Sequence, residues 1–216
     1  MAVDLVVVGA GGFGRQTLDV IEAINQAGAA PQFTVLGVVD DGPSELNLAR
    51  LQARGYPCLG SVADVLAGLP PAWFALGVGT PSIRQLLAER LEAGGWQPAT
   101  LIHPSASIGS VPRIGEGVVI CGGTQVSTNV RLGRHVHVNP HVAIGHDAEL
   151  GDYVSINPGA IVSGEVRIAA GVLVGAGAVI LQGLSVGENS TIGASACVTR
   201  DVPPSKVVKG VPGRWA

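Results

Sequence analysis

Residues 138–168 read VNPHVAIGHDAELGDYVSINPGAIVSGEVRI. Every sixth residue in them is aliphatic: Val138, Ile144, Leu150, Ile156, Val162 and Ile168. Stepping outward in sixes extends the series back to Ile102 and forward to Val198, seventeen positions without a slip or insertion. Four places after each aliphatic there usually stands a small or β-branched residue, as at Ala106, Val118, Thr124, Val130, Ala148 and Ala160. A period of six fits neither an α-helix nor an alternating strand. It is a hexapeptide repeat, which predicts a parallel β-helix. Each repeat is one short strand and a corner, with the aliphatic pointing inward. Three repeats make a triangular coil that touches only its neighbours along the axis. Glycine often follows the aliphatic, as at Gly109, Gly115, Gly145 and Gly175. These glycines are expected to relieve the bend, where φ turns positive.

The whole chain has 216 residues, 47% of them hydrophobic and only 13% charged, with 32 glycines. That composition is globular and rich in turns. The net charge of −3 offers no basic face to nucleic acid or to an anionic membrane. The three cysteines are widely spaced, which suggests a reducing compartment and no disulfide framework. The opening MAVDLVVVGAGG has no basic n-region, and its apolar run is too short for a signal peptide or a spanning helix. A cytoplasmic protein is the expectation.

Ahead of the repeats, strand patterns alternate with helical ones. Residues 3–8, 34–39, 73–78 and 97–102 read as strands; 15–27, 44–54, 61–66 and 81–92 read as helices. Ser61 stands as an N-cap with Asp64 at N3, and Pro81 opens the last helix. Such alternation predicts a small parallel sheet with helices on its faces. The expected domains are 1–100, Rossmann-like; 101–202, the β-helix; and 203–216, an extended tail with several prolines near it. Gly9, Gly11 and Gly14 spell G-x-G-x-x-G between a strand and a helix, where backbone N–H groups can face a phosphate. Asp40 and Asp41 close the second strand, placed to accept from a sugar hydroxyl or a base N–H. About 100 residues give only half a doubly wound dinucleotide domain, so a mononucleotide or nucleotide-sugar fits better than NAD. A glycine turn that merely lets the helix approach the sheet is the plainer alternative.

The five histidines are His103, His135, His137, His141 and His146. His103, beside Pro104, reads as structural. His135 and His137 flank the inward Val136 and are expected to point outward. His141 and His146 invite comparison with the three-histidine zinc site of β-helical carbonic anhydrases. The positions one coil from His146 are Thr128 and Gly164, however, so no metal site is expected. His146 is followed by Asp147, and Asn139 lies one repeat earlier. A general base needs an imidazole and a partner that fixes its tautomer. A polar corner on a solvated coil accounts for the same pair equally well from spacing alone.

Several stretches together carry a resemblance that covers essentially the whole chain: VVVGAGGFGR (6–15), VVDD (38–41), GVGTPSIR (77–84), LIHPSASI (101–108), the run 138–168 and DVPPSKVVKGVPGR (201–214). The chain resembles the nucleotide-sugar N-acetyltransferases of the sialic acid O-acetyltransferase-like, hexapeptide-repeat family. That family includes the enzymes that acetylate bacillosamine precursors and perosamine. The resemblance implies that the β-helix is left-handed. It implies a catalytic base at His146, tuned by Asp147, and a polar active-site residue at Asn139. It implies nucleotide-sugar contacts at Gly11, Gly12, Asp40, Asp41 and Gly79, with Arg84 nearby. Acetyl-CoA, the implied donor, would lie along Gly164, Ala176 and Ala194 between neighbouring β-helices of a homotrimer. Two positions depart from the family: Phe13 and Ser155 stand where many relatives have histidine, the first in the glycine loop and the second beside the donor.

The implied reaction is direct acetyl transfer to the amine of a nucleotide-linked sugar, a 4-amino-4,6-dideoxy sugar in the nearest pattern. No metal is needed, and no covalent acyl-enzyme. Acetylation of a sugar hydroxyl is the alternative within the class. A non-catalytic nucleotide-binding β-helix is the alternative outside it.

Overall fold

The computed structural model describes residues 2–215. The chain forms two compact units, Met1–Gly79 with Ile83–Pro104, and Thr80–Ser82 with Ser105–Ala216.

The first unit runs β1 (Val3–Val8), α1 (Gly12–Ala27), β2 (Phe33–Val39), α2 (Glu45–Gln52), α3 (Val62–Gly68), β3 (Trp73–Leu76), α4 (Pro81–Ala93) and β4 (Gln97–Pro98). The sheet order is β2-β1-β3-β4, and every pair is parallel. β1 is an inner strand of the sheet, with Leu5, Val6 and Val7 fully buried. α1 packs against it, and Leu18 and Ile21 of α1 are buried at 0% exposure, as is Leu91 of α4. Burying each such side chain contributes about 1.5–3 kcal/mol. Ser61 caps α3 in a reciprocal capping box with Asp64, as their spacing predicts. The expected strand over 97–102 is instead two pieces, Gln97–Pro98 and Leu101–Ile102; Pro98 sits on the edge strand, where its missing N–H costs no ladder bond, and the Gln97 and Ala99 N–H groups donate to the Ala72 and Phe74 carbonyls.

The second unit is a parallel β-helix of two-residue strands, about six coils long, and it matches a left-handed β-helix. Strands eighteen residues apart stack in register on three faces. One face runs from Arg113–Ile114 to Ser185–Val186, another from Ser107–Ile108 to Cys197–Val198. The third runs on from Val119–Ile120 to Val207–Val208, where the proline-rich segment adds a last rung only sixteen residues after Thr191–Ile192. Inside, Val138, Ile156, Val174 and Ile192 form one aliphatic ladder, and none is exposed. The small residues beside them, such as Val118, Ala148 and Ala160, are equally buried.

The corners correct the expected role of the glycines. Positive φ falls three residues after the aliphatic, at Val111, Gly117, Asn129, His135, Asp147, Tyr153 and their equivalents. The glycines directly after the aliphatics do not have it. They are needed because coils approach closely there: a β-carbon on Gly109 would stand 2.6 Å from the Ser127 carbonyl carbon, and one on Gly115 2.7 Å from that of Gly133.

His135 and His137 are also corrected. Both are buried, at 0% and 1% exposure, although Val136 between them points inward as expected. Corner residues stack in columns eighteen apart. His135 sits over Gly117, whose missing side chain leaves room for the ring, and stacks on Tyr153 at 5.3 Å between centroids. His137 takes the outward strand position, yet its neighbours Val119 and Ser155 in the same ladder are buried too, so it belongs to a covered face.

Candidate active site

His146 and Asp147 form the tip of one β-helix corner, in the turn between strands Ala143–Ile144 and Glu149–Leu150. Asp147 adopts φ +59, a region that aspartate tolerates better than most residues. The turn is pinned from both sides. The Asp147 N–H donates to the Thr128 carbonyl at 3.0 Å, and the His146 carbonyl accepts from the Glu165 N–H at 2.8 Å. Both side chains therefore project from a rigid edge, and each is about half exposed, at 48% and 47%.

The imidazole Nδ1 lies 2.8 Å from Asp147 Oδ2. The other carboxylate oxygen accepts from Asn129 Nδ2 at 3.0 Å. The His146 bond, then the Asn129 bond, hold the Asp147 carboxyl below the usual carboxylate range. An ionised Asp147 accepts a proton donated by Nδ1, which leaves Nε2 with a lone pair. Above that ring lies Gly164: a β-carbon on it would be 2.6 Å from Nε2. Asn129 is not among the residues that the sequence singles out; its one signal is its place eighteen residues before Asp147.

The other expected donor-site residues occupy different places. Ala176 and Ala194 are exposed and stand one coil apart, joined where the Ser195 N–H donates to the Ala176 carbonyl at 2.8 Å. That corner column, which includes Pro158, is not the column of His146 and Gly164. Ser155 is buried in the ladder between His137 and Leu173. Asn139 is 7% exposed and donates from Nδ2 to the Ile156 carbonyl at 3.0 Å, an interaction within the coil. Among the described residues, no group of three or more His, Cys, Asp or Glu side chains is placed to hold a metal ion. The three cysteines are thiols.

In the first unit, the glycine loop sits at the carboxyl ends of the parallel strands, where open α/β sheets bind ligands. Its glycines differ in purpose. Gly9 has φ +111, and a side chain on Gly14 would run into the Gly9 carbonyl, so these two let α1 meet β1. Gly11, the N-cap of α1, and Gly12 face open space. Asp40 accepts from the Ala10 N–H at 2.8 Å and from the Gly42 N–H at 2.9 Å, and so shapes the loop. Asp41 accepts from the Val62 N–H at 2.8 Å and lies 3.6 Å from Arg90. Arg84 is fully buried and donates to the carbonyls of Val78 at 2.9 Å and Gly79 at 3.2 Å, holding the loop after β3. Gly79 is exposed there, and Phe13 is half-buried in the first turn of α1. Asp40 and Asp41, with Gly9 and Leu87, border a hollow of about 200 Å³.

These features define a class: a Rossmann-like unit with an open glycine loop, followed by a left-handed β-helix that carries a His–Asp pair on one edge. Residues 4–91 match the family described as the PglD N-terminal domain. The chain is 32% identical over 133 residues to the GDP-perosamine N-acetyltransferase of Escherichia coli O157:H7, covering 62% of this chain and 58% of that one. It spans little more than half the length of the curated relatives it matches. Solved structures align over nearly its full length. The acetyltransferase domain of PglB from Neisseria gonorrhoeae, in complex with acetyl coenzyme A, has a TM-score of 0.85 at 29% identity, covering 100% of both chains. PerB from Caulobacter crescentus, in complex with CoA and GDP-perosamine, has a TM-score of 0.86 at 26% identity, covering 99% of this chain and 97% of that one. The chain is thus similar to nucleotide-sugar N-acetyltransferases along both of its units. No helix among the described residues is long and apolar enough to cross a membrane.

Proposed function

We propose that this chain transfers the acetyl group of acetyl-CoA to the amine of a nucleotide-linked amino sugar, a 4-amino-4,6-dideoxy sugar, with His146 as general base. The observation that carries this is the geometry at the corner: Asp147 holds Nδ1 at 2.8 Å, and Nε2 is left as the proton acceptor. Similarity to N-acetyltransferases, one of them bound to CoA and GDP-perosamine, supports the choice of donor and acceptor.

In the reaction the neutral amine attacks the thioester carbon and a C–N bond forms. Nε2 of His146 takes the proton that the nitrogen sheds, a contribution of roughly 10²–10⁴-fold. Asp147 stabilises the imidazolium. The oxyanion is met by a backbone N–H, that of Gly164, the residue that lies over the imidazole. Collapse breaks the C–S bond, and the imidazolium returns its proton to the departing coenzyme A thiolate. Holding both substrates side by side supplies much of the remaining acceleration.

Residues 1–100 bind the nucleotide-sugar through Gly11, Gly12, Phe13 and Gly79, with Asp40, Asp41 and Arg84 shaping that pocket. Residues 101–202 carry the chemistry, and 203–216 form the C-terminal segment. Gly164, Ala176 and Ala194 border the donor, while Ser155 stays buried within its ladder, and Asn139 supports the active-site edge. Because the columns of Gly164 and of Ala176 lie on different edges, a homotrimer offers a way to bring one edge of each kind to the same donor across a subunit boundary. The enzyme works in the cytoplasm, in keeping with its thiol cysteines.

The test is coenzyme A release from acetyl-CoA with UDP-, dTDP- and GDP-linked 4-amino-4,6-dideoxy sugars and their 4-hydroxy counterparts. Turnover of an amino sugar, reduced at least about a hundredfold in His146→Ala at unchanged folding, supports the reading. Turnover of hydroxy sugars alone, or of none, overturns it.

A further inference from the structure

We infer that Asn129 is a positioning residue for His146, acting through Asp147 from one coil away. The inference rests on the acetyltransfer reading for its catalytic consequence, but its structural half stands apart from it.

Asn129 and Asp147 occupy equivalent corners of successive coils, at φ +58 and +59. Their side chains therefore leave the backbone in the same direction, one above the other. The Asn129 amide donates to Asp147 Oδ1 at 3.0 Å while Oδ2 faces His146 Nδ1 at 2.8 Å. An exposed carboxylate beside an imidazole is otherwise free to rotate about its own bonds and to exchange the ring for water. Occupying one oxygen from below leaves the other aimed at Nδ1. The orientation of the amide follows from chemistry, because only its NH₂ can approach an ionised carboxylate.

The surroundings offer no substitute for it. The corner column reads Val111, Asn129, Asp147, Glu165, Gly183, so the next residue above Asp147 is another acid and cannot donate to it. The adjacent column reads Ser110, Thr128, His146, Gly164, Gln182. There Thr128 is engaged with Ser110, the hydroxyls 2.7 Å apart. On the strands that follow, Arg131 pairs with Glu149 at 3.8 Å. Asparagine also suits the backbone: of the residues carrying an amide donor, it is the one that enters the left-handed region readily. The residue type is thus required twice, once for the turn and once for the carboxylate.

The experiment uses full-length protein labelled with ¹⁵N-histidine, the His146 resonances being assigned by their loss in His146→Ala. In the unmodified protein the ring shows a protonated Nδ1 and a bare Nε2. Asn129→Gly keeps the left-handed turn and removes the amide; Asn129→Asp keeps the size and replaces donor by acceptor. Both are expected to shift His146 toward a mixture of tautomers, and to lower kcat about tenfold with KM and melting temperature unchanged. Unchanged tautomer signals in both variants overturn the inference, even if kcat falls. Changed tautomer signals with kcat within about twofold of the original overturn its catalytic half. If the unmodified protein acetylates no sugar, the tautomer measurement still decides whether Asn129 positions the ring, and only the functional reading fails.

Discussion

Gly164 lies directly over His146, so that a β-carbon on it would stand 2.6 Å from the imidazole Nε2. The glycine is not required by its own backbone, since its φ is not among the positive ones. It is required by the ring. Gly164→Ala is expected to fold normally, because His146 is half exposed and can swing away, and to lose about ten- to a hundredfold in kcat. Circular dichroism with coenzyme A release would check both halves.

The Asp147 carboxyl is held low by His146 and Asn129. A group with a depressed folded pKa contributes stability that is present above its ordinary value, 3.8 here, and lost as pH falls through the lower folded value. Asp147 therefore stays ionised across neutral and mildly acid pH. Asp147→Asn should lower kcat about ten- to a thousandfold throughout that range. Its effect on stability, compared by denaturation at pH 7 and at pH values stepped down from 3.8, should shrink toward the acid end.

Two glycines of the same loop, Gly14 and Gly12, separate cleanly. Gly14→Ala drives a methyl group into the Gly9 carbonyl and should destabilise the first unit by about 3 kcal/mol. Gly12→Ala meets nothing within 4 Å and should leave the melting temperature nearly unchanged, while weakening nucleotide-sugar binding. Thermal unfolding and calorimetric titration with a nucleotide-sugar give the two readouts.

Tyr56 donates to Glu22 Oε1 at 2.7 Å, and Arg54 reaches the same oxygen at 2.8 Å and Asp19 at 2.7 Å. Burial, then the Glu22 bond, push the phenol from 10.0 up to about 12. A raised pKa contributes stability that is fully present below pH 10.0 and lost as pH climbs through about 12. Tyr56→Phe should cost about 1 kcal/mol at pH 8. The gap between the two proteins should close between pH 10 and 12, measured by urea denaturation.

In the solenoid, Ile156 is fully buried in the ladder between Val138 and Val174. Ile156→Ala should cost about 2–5 kcal/mol, because neighbouring rungs are held by their own backbone bonds and cannot collapse into the space. The loss would be read from the denaturant midpoint.

The sequence by itself determined the solenoid, because an unbroken six-residue aliphatic period has only one way to bury every aliphatic. The parallel α/β unit ahead of it was legible in its alternating patterns and the Ser61 cap in its spacing to Asp64, whereas spacing alone left the adjacent His146 and Asp147 level with a plain polar corner until the 2.8 Å bond joined them. Tertiary structure alone decided what depends on the next coil. Asn129 meets Asp147 only because eighteen residues close one turn, and His135 is buried only because Gly117 and Tyr153 occupy its column. The glycines after each aliphatic proved to serve coil-to-coil contact and not positive φ, since the distance between coils is a property of packing. In a β-helix a residue's strongest partners lie a full coil away, and a local pattern can announce the coil without saying which side chains will meet across it.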